Sequence, residues 1–291
     1  MANSPAPFGT YALKPWRELV RRGADSMPSG RLGIWSVSLM RRASLLGHSR
    51  GMRGPHDISV VDGVNARLYP GSNRCEKRGY AGVHLWDLSE RNSLEDAIKA
   101  HKHDRPFVFL DVGANVGLYS LFVHAFASNA GKDYRIIAIE PDPENRSRLE
   151  FNCQASNCDL QIDPVGIAHQ AGTGYLTQAK NNRGTVAVAY SGSGVEVELI
   201  TLSDLIERHE LDQVDALKID IEGRDASALR AMTEQAPKSV WPKLIIVEIK
   251  SRTENPILDY LAQHGYRLRH QAKTNAILEL DGDNSEAVES A

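Results

Sequence analysis

The stretch Phe109-Leu110-Asp111-Val112-Gly113-Ala114-Asn115-Val116-Gly117-Leu118-Tyr119-Ser120 runs from apolar residues through a glycine turn into the start of a helical repeat. Phe107 to Asp111 is short, apolar and bounded by the turn, as a buried strand is. Beyond the turn, Leu118, Leu121, Phe122, Ala125 and Phe126 recur at the spacing of one helix face. A strand, glycine turn and helix in this order form the first βα unit of an open parallel sheet, provided that strands and helices keep alternating.

They do. A second strand is expected over Arg135 to Glu140, then a helix from Pro143, a residue suited to a first helical position, through Leu149 and Cys153. Shorter strands are expected near Leu160 to Val165 and Val195 to Ile200, with a Ser- or Thr-capped helix opening in Thr201-Leu202-Ser203-Asp204-Leu205-Ile206. Ala216 to Ile221 reads as a strand, Asp225 to Gln235 as a helix, Leu244 to Ile249 as a strand, and Pro256 to His264 as a helix stopped by Gly265. Tyr266 to Arg269 and Ala276 to Leu280 are close enough to form an antiparallel hairpin at one sheet edge. Upstream, Ile58 to Tyr69 alternates around Asp62-Gly63 as a β-hairpin does, and Ser93 to His103 has helical spacing with Ser93 as a candidate cap. The fold class is α/β, a mostly parallel sheet covered on both faces.

The turn's residues limit its ligand. A dinucleotide needs G-x-G-x-x-G so that its pyrophosphate can approach the backbone. Here Asn115 stands at the second glycine position, where its side chain crowds a diphosphate but can bond an amino acid's carboxylate or amine. Asp111 adds a charge that suits an ammonium group better than a phosphate. Glu140, at the end of the second strand, can accept both hydroxyls of a ribose. A ligand with an amino acid end and a nucleoside end is S-adenosylmethionine.

Together, DVGANVGLYS at 111 to 120, AIEPDPENRSRLEFN at 138 to 152, TLSDL at 201 to 205, LKIDIEG at 217 to 223 and LIIVEIK at 244 to 250 resemble the FkbM family of S-adenosylmethionine-dependent methyltransferases. The resemblance implies the Rossmann-like seven-stranded methyltransferase fold, and O-methylation of hydroxyls on sugars, glycolipids or polyketide-type products. It places Asp111, Gly113, Ala114, Asn115 and Gly117 around the methionine part of the cofactor and Glu140 at the ribose, with adenine contacts from Asp163 to Ala168. The chain departs from the family where Arg224-Asp225 follows KIDIEG, so no catalytic role is carried over to that acidic position.

A sulfonium methyl is already activated, so such an enzyme must align the acceptor and take its proton. Asp220 and Glu222, two residues apart, point the same way if their strand persists. They are candidates for acceptor or cofactor contact, or for holding Mg²⁺ against a sugar diol. Glu248 and Lys250 repeat the geometry on the next strand, and Glu248 is a second candidate for acceptor contact. His169 is a candidate general base among ten histidines. Asn181-Asn182-Arg183-Gly184 and Ser191-Gly192-Ser193-Gly194 read either as loops that close over the acceptor or as an ordinary surface hairpin.

The 291 residues divide into a basic extension (1–56), a hairpin and helix region (57–104), the methyltransferase domain (105–280) and an acidic tail (281–291) expected to be disordered. The extension has nine basic residues against two acidic ones, and is read as a solvated arm or, through Trp35, Leu39, Leu45 and Leu46 beside Arg41 and Arg42, as a peripheral contact with an anionic membrane. A net charge of −3 gives no reason to expect a nucleic acid partner. Three cysteines without C-x-x-C spacing, and no apolar run near the ~18 residues of a membrane span, fit a cytoplasmic enzyme. The expected partner is a small-molecule or glycan acceptor; nothing in the sequence sets the oligomeric state. A nicotinamide-dependent oxidoreductase and a non-catalytic S-adenosylmethionine-binding module are the alternatives.

Overall fold

The computed structural model describes residues 5–46, 51, 54–102, 104–179, 182–189, 194–249, 255–272 and 274–281. Lys250, Asn181, Ser191 to Ser193 and the tail beyond residue 281 lie outside them.

The chain opens with α1 (Pro15–Asp25) and α2 (Arg31–Leu45), which pack against each other. Arg21 is buried between Glu18 (2.8 Å), Asp25 (3.1 Å) and the carbonyl of Tyr80 (2.9 Å), so this basic segment is a packed helical pair and not only a solvated arm. One face of the pair stays in solvent: Leu19, Leu32, Ile34, Trp35 and Leu39 are all exposed. The β1 (His56–Val61) and β2 (Val64–Leu68) hairpin turns at Asp62-Gly63, where Gly63 has φ +78°. Asp57 and Arg67 form a buried ion pair across it (2.7 Å), and Arg67 also lies over the rings of Tyr11 and Phe151.

Next come α3 (Arg74–Tyr80), capped by Asn73, and α4 (Leu88–Ala100). The latter starts five residues before the expected Ser93 cap, because Asp87 turns the chain with φ +45° and accepts a hydrogen bond from the Tyr119 hydroxyl (2.9 Å).

The main sheet holds β3 (Phe107–Val112), β4 (Tyr134–Ile139), β5 (Gln161–Asp163), β10 (Ala216–Ile219), β11 (Leu244–Glu248), β12 (Tyr266–Gln271) and β13 (Asn275–Leu280) in the order β12-β13-β11-β10-β3-β4-β5. All neighbours are parallel except the pairings made by β13. Along β3, Phe107 and Phe109 face a core shared with α4, α5 (Leu118–Asn129) and the N-terminal elements. Val108, Leu110 and Val112 face a second core with α7 (Leu202–Arg208), α8 (Asp225–Gln235) and α9 (Pro256–Gln263). The period of two thus buries both faces of the sheet.

The structure also has a small sheet in which β6 (Gly166–Ile167), β7 (Gly172–Ala179), β8 (Asn182–Ala189) and β9 (Val195–Ile200) order as β6-β9-β7-β8; β9 is the strand expected over Val195 to Ile200, and Asn182 to Gly184, read from the sequence as a closing loop or a surface hairpin, start the β8 arm of an antiparallel pair with β7. Thr201 caps α7 in a reciprocal capping box with Asp204, as the sequence suggests.

Candidate active site

Strand order reverses between β3 and β10, and a crevice opens there at their carboxyl ends. Two cavities meet in it, sharing Gly113, Asn115, Asp220 and Glu222. One continues past Ile139, Glu140 and Asn145 to Val165, Gly166 and Ile167. The other, of about 270 Å³, continues past Asp111 and Lys218 to Glu248, Trp86 and Asn275.

The glycine turn is shaped by its own hydrogen bonds. The N–H groups of Gly113 and Ala114 both donate to the carbonyl of Ile139 (3.0 Å each), that of Gly117 to Ala114 (2.9 Å), and that of Asn115 to Oε2 of Glu140 (2.7 Å). These amides are spent inside the fold, so the turn lacks the row of free donors that cradles a diphosphate. Gly113 has φ +79°, and a Cβ there would stand 2.1 Å from the carbonyl oxygen of Asp220. Only glycine lets β3 and β10 converge at this point. Gly117 has φ +83°, and its missing Cβ makes room for Leu149 of α6 (Pro143–Ser156). Its role is packing of α5 on α6, and it does not line the crevice as the sequence reading expected.

Glu140 is buried, and its Oε1 accepts the amide of Asp142 (2.9 Å). Burial, aided by nearby Asp142, pushes its carboxyl up to about 7 despite these amides. The Asn145 side chain also donates to this carboxylate, which leaves an acceptor position for a further donor. Beside it Asn145 Oδ1 is buried with no hydrogen-bond partner among the described residues, an acceptor on the same cavity wall. Asp163 does not reach this wall: its carboxylate turns toward α7 and the residue after it, to Arg208 (3.4 Å) and His209 (3.1 Å). Val165 to Ile167 take that place.

On the other side, Asp111, Lys218 and Glu248 emerge on one face of three adjacent strands, since β3 and β10 pair Asp111 with Lys218 and β11 runs parallel beside them. Asp111 is buried and accepts from both the amide (3.0 Å) and hydroxyl (2.7 Å) of Ser120, and its burial raises its pKa. Lys218 is also buried, 3.4 Å from Asp220, and its surrounding carboxylates, led by Asp220 and Asp111, raise its pKa against the cost of burial.

Asp220 and Glu222 both line the crevice, but not by strand alternation. The strand ends at Ile219, and Glu222 is turned in with φ +55°. Asp225 closes this turn by accepting the amides of Ile221 (3.0 Å) and Gly223 (3.1 Å), which accounts for an acidic residue at that position. Glu248 is half-buried, and its carboxyl is pushed up to about 7 by desolvation and by Asp220, Asp225 and Glu222. His169 is exposed on a bend after β6 and does not reach the crevice, because the chain there turns out into the small sheet. Among the described residues, no group of three or more His, Cys, Asp or Glu is placed to hold a metal ion, and no helix is long and apolar enough to cross a membrane.

Asn145, Trp86 and Tyr119 also line the crevice and were not singled out from the sequence. Trp86 and Tyr119 belong to apolar runs and carry no polar signature that would separate them from core residues.

A model of the methyltransferase FkbM domain matches residues 111–268. The chain is 25% identical over 181 residues to the hexuronic acid methyltransferase AglP of Haloferax volcanii, covering 57% of this chain and 66% of that protein. It is 27% identical over 170 residues to the methyltransferase sdnD of Sordaria araneosa, covering 47% of this chain and 64% of that one. The chain thus spans slightly less than two thirds of each of these relatives. Among solved structures, the S-adenosylmethionine-dependent methyltransferase from Agrobacterium tumefaciens aligns with a TM-score of 0.45 at 12% identity, over 78% of this chain and 70% of that one.

Proposed function

We propose, because the chain belongs to the FkbM methyltransferase family, that it transfers the methyl group of S-adenosylmethionine to a hydroxyl of a sugar, glycolipid or other small molecule. One observation carries the reading: Glu140 and Glu248, both with carboxyls near 7, stand in two cavities joined at Gly113, Asn115, Asp220 and Glu222.

The first cavity suits a nucleoside. Glu140 can accept a ribose hydroxyl, Asn145 Oδ1 beside it offers an acceptor to a second hydroxyl or an amino group, and Ile139, Val165 and Ile167 supply apolar walls. Asn115 at the junction, and Asp111 just beyond it in the Glu248 cavity, would hold the methionine end. When bound, the cofactor supplies a methyl group on a positively charged sulfur.

Glu248 would take the acceptor's proton on its carboxylate. A base near neutral pKa is effective because it is both available and strong enough at cellular pH. Asp220, Glu222 and Asp225 keep Glu248 from ionising earlier, and Lys218 offsets the carboxylates around it. Asp220 would fix the acceptor's orientation at the junction. AglP, a hexuronic acid methyltransferase by name, supports a sugar acceptor.

Incubation with radiolabelled S-adenosylmethionine and a cell-extract metabolite pool tests the function. Transfer of label to a hydroxylated product, lost in Glu248→Gln and in Asp220→Ala, is the expected result. Unchanged turnover in both variants would remove the assigned site, and absence of transfer by the wild type across the pool would favour a module that binds without catalysing.

A further inference from the structure

Arg74, Arg78 and Trp86 line two cavities at once: the one that contains Glu248, and a neighbour of about 360 Å³ closed by Val37, Arg41, Lys77 and Leu85. We infer that this neighbouring cavity, on the reading that the Glu248 cavity takes the methyl acceptor, is a subsite for a phosphate or diphosphate group carried by that acceptor.

The charge balance supports this. Four cations line the cavity, and among the described residues only Arg78 has a carboxylate within reach, Asp87 at 3.8 Å. Among the described residues Arg41 bonds neutral groups, the carbonyl of Ala81 (3.4 Å) and the hydroxyl of Ser38 (3.1 Å). Among the described residues no ion pair joins Arg41, Arg74 or Lys77 to an acidic side chain, although the chain is acidic overall. Burial and neighbouring Arg42 and Arg78 push Arg41 below its ordinary value, and burial with Arg41, Arg42 and Arg74 does the same to Lys77. Each cation therefore disfavours the next, a cost that a bound anion removes.

A single carboxylate offsets one such charge; a phosphate ester or diphosphate offsets more and matches the planar fork of arginine. Because the two cavities share Arg74, Arg78 and Trp86, one molecule can present a hydroxyl to Glu248 while its phosphate lies among the arginines. The apolar groups beside the cations, Val37, Leu85 and Trp86, together with the outward-facing Trp35 and Leu39, are compatible with a phosphate attached to a lipid as well as with a soluble one.

The test is calorimetric titration of full-length protein with inorganic pyrophosphate, and co-sedimentation with vesicles of phosphatidylcholine containing phosphatidic acid. Arg74→Gln and Lys77→Gln, both at exposed side chains, should each weaken pyrophosphate binding about tenfold, and Arg74→Lys should recover part of the loss. Pyrophosphate binding without vesicle capture assigns a soluble phosphate ester; capture that the same substitutions abolish assigns a lipid-borne one. Failure of the wild type to bind pyrophosphate, or equal binding by both glutamine variants, overturns the subsite. S-adenosylhomocysteine titrated into the same wild-type samples tests the cofactor reading separately, so the two can fail independently.

Discussion

Replacing Glu248 with Gln removes a carboxyl that the fold holds near 7, against 4.5 for an ordinary glutamate. A carboxyl raised in the folded state binds its proton more tightly there than in the unfolded chain. Stability is therefore full below about pH 4.5 and falls as pH rises toward about 7, where the native group is forced to ionise beside Asp220, Asp225 and Glu222. Unscreened, the difference of 2.5 units would amount to ~3 kcal/mol. Glu248 is only half-buried, and solvent screening reduces this to ~1 kcal/mol. Glutamine has nearly the same shape and no charge, so Glu248→Gln should match the wild type at pH 4 and exceed it by ~1 kcal/mol at pH 8, or ~2 °C in Tm for a chain of this size. Urea unfolding of both proteins at the two pH values measures it without needing an acceptor. Glu76 and Glu140, also raised to about 7, are common to both proteins and cancel in the difference. The same stability difference at both pH values, or a wild type that gains on the variant as pH rises, would refute the reasoning.

Gly113→Ala places a Cβ 2.1 Å from a backbone oxygen at φ +79°; a loss above ~2 kcal/mol is expected, with loss of S-adenosylhomocysteine binding, and a variant that melts and binds like wild type contradicts the close approach of β3 and β10. Asp57→Ala strands the buried guanidinium of Arg67 and should cost ~3–5 kcal/mol in urea unfolding; a cost under ~1 kcal/mol would mean that the pair does not hold the hairpin. Thr201→Ala removes the reciprocal cap of α7 and should cost ~1 kcal/mol with no change in cofactor binding, read by thermal melting and titration.

The doubly covered sheet was legible because its strands are short apolar runs punctuated by Gly, Pro and helix caps, which are local signals. That Asn115 and Glu140 line the crevice was legible because their place at the ends of the first two strands follows from chain order alone. The meaning of Gly117 was not, since its neighbour Leu149 is brought in by packing of two helices. The alternation that placed Asp220 and Glu222 together failed for a similar reason: Asp225 pulls the chain into a turn just after Ile219, and the two carboxylates meet by that turn. Asp163 pointed away because its partners, Arg208 and His209, lie more than forty residues on in the chain. In the small sheet β9 was legible as a strand, whereas β7 and β8 were not, because they are rich in Gly, Thr and Ala.

We propose that the crevice between β3 and β10 holds the methyl donor through Glu140. Calorimetric titration of the wild type and of Glu140→Gln with S-adenosylhomocysteine tests it most directly. The expected result is saturable binding at one site that tightens between pH 6 and pH 8, as the Glu140 carboxyl near 7 ionises to accept a ribose hydroxyl, and that weakens about tenfold in the variant. No binding by the wild type, or binding that NADH displaces and Glu140→Gln leaves unchanged, would contradict it.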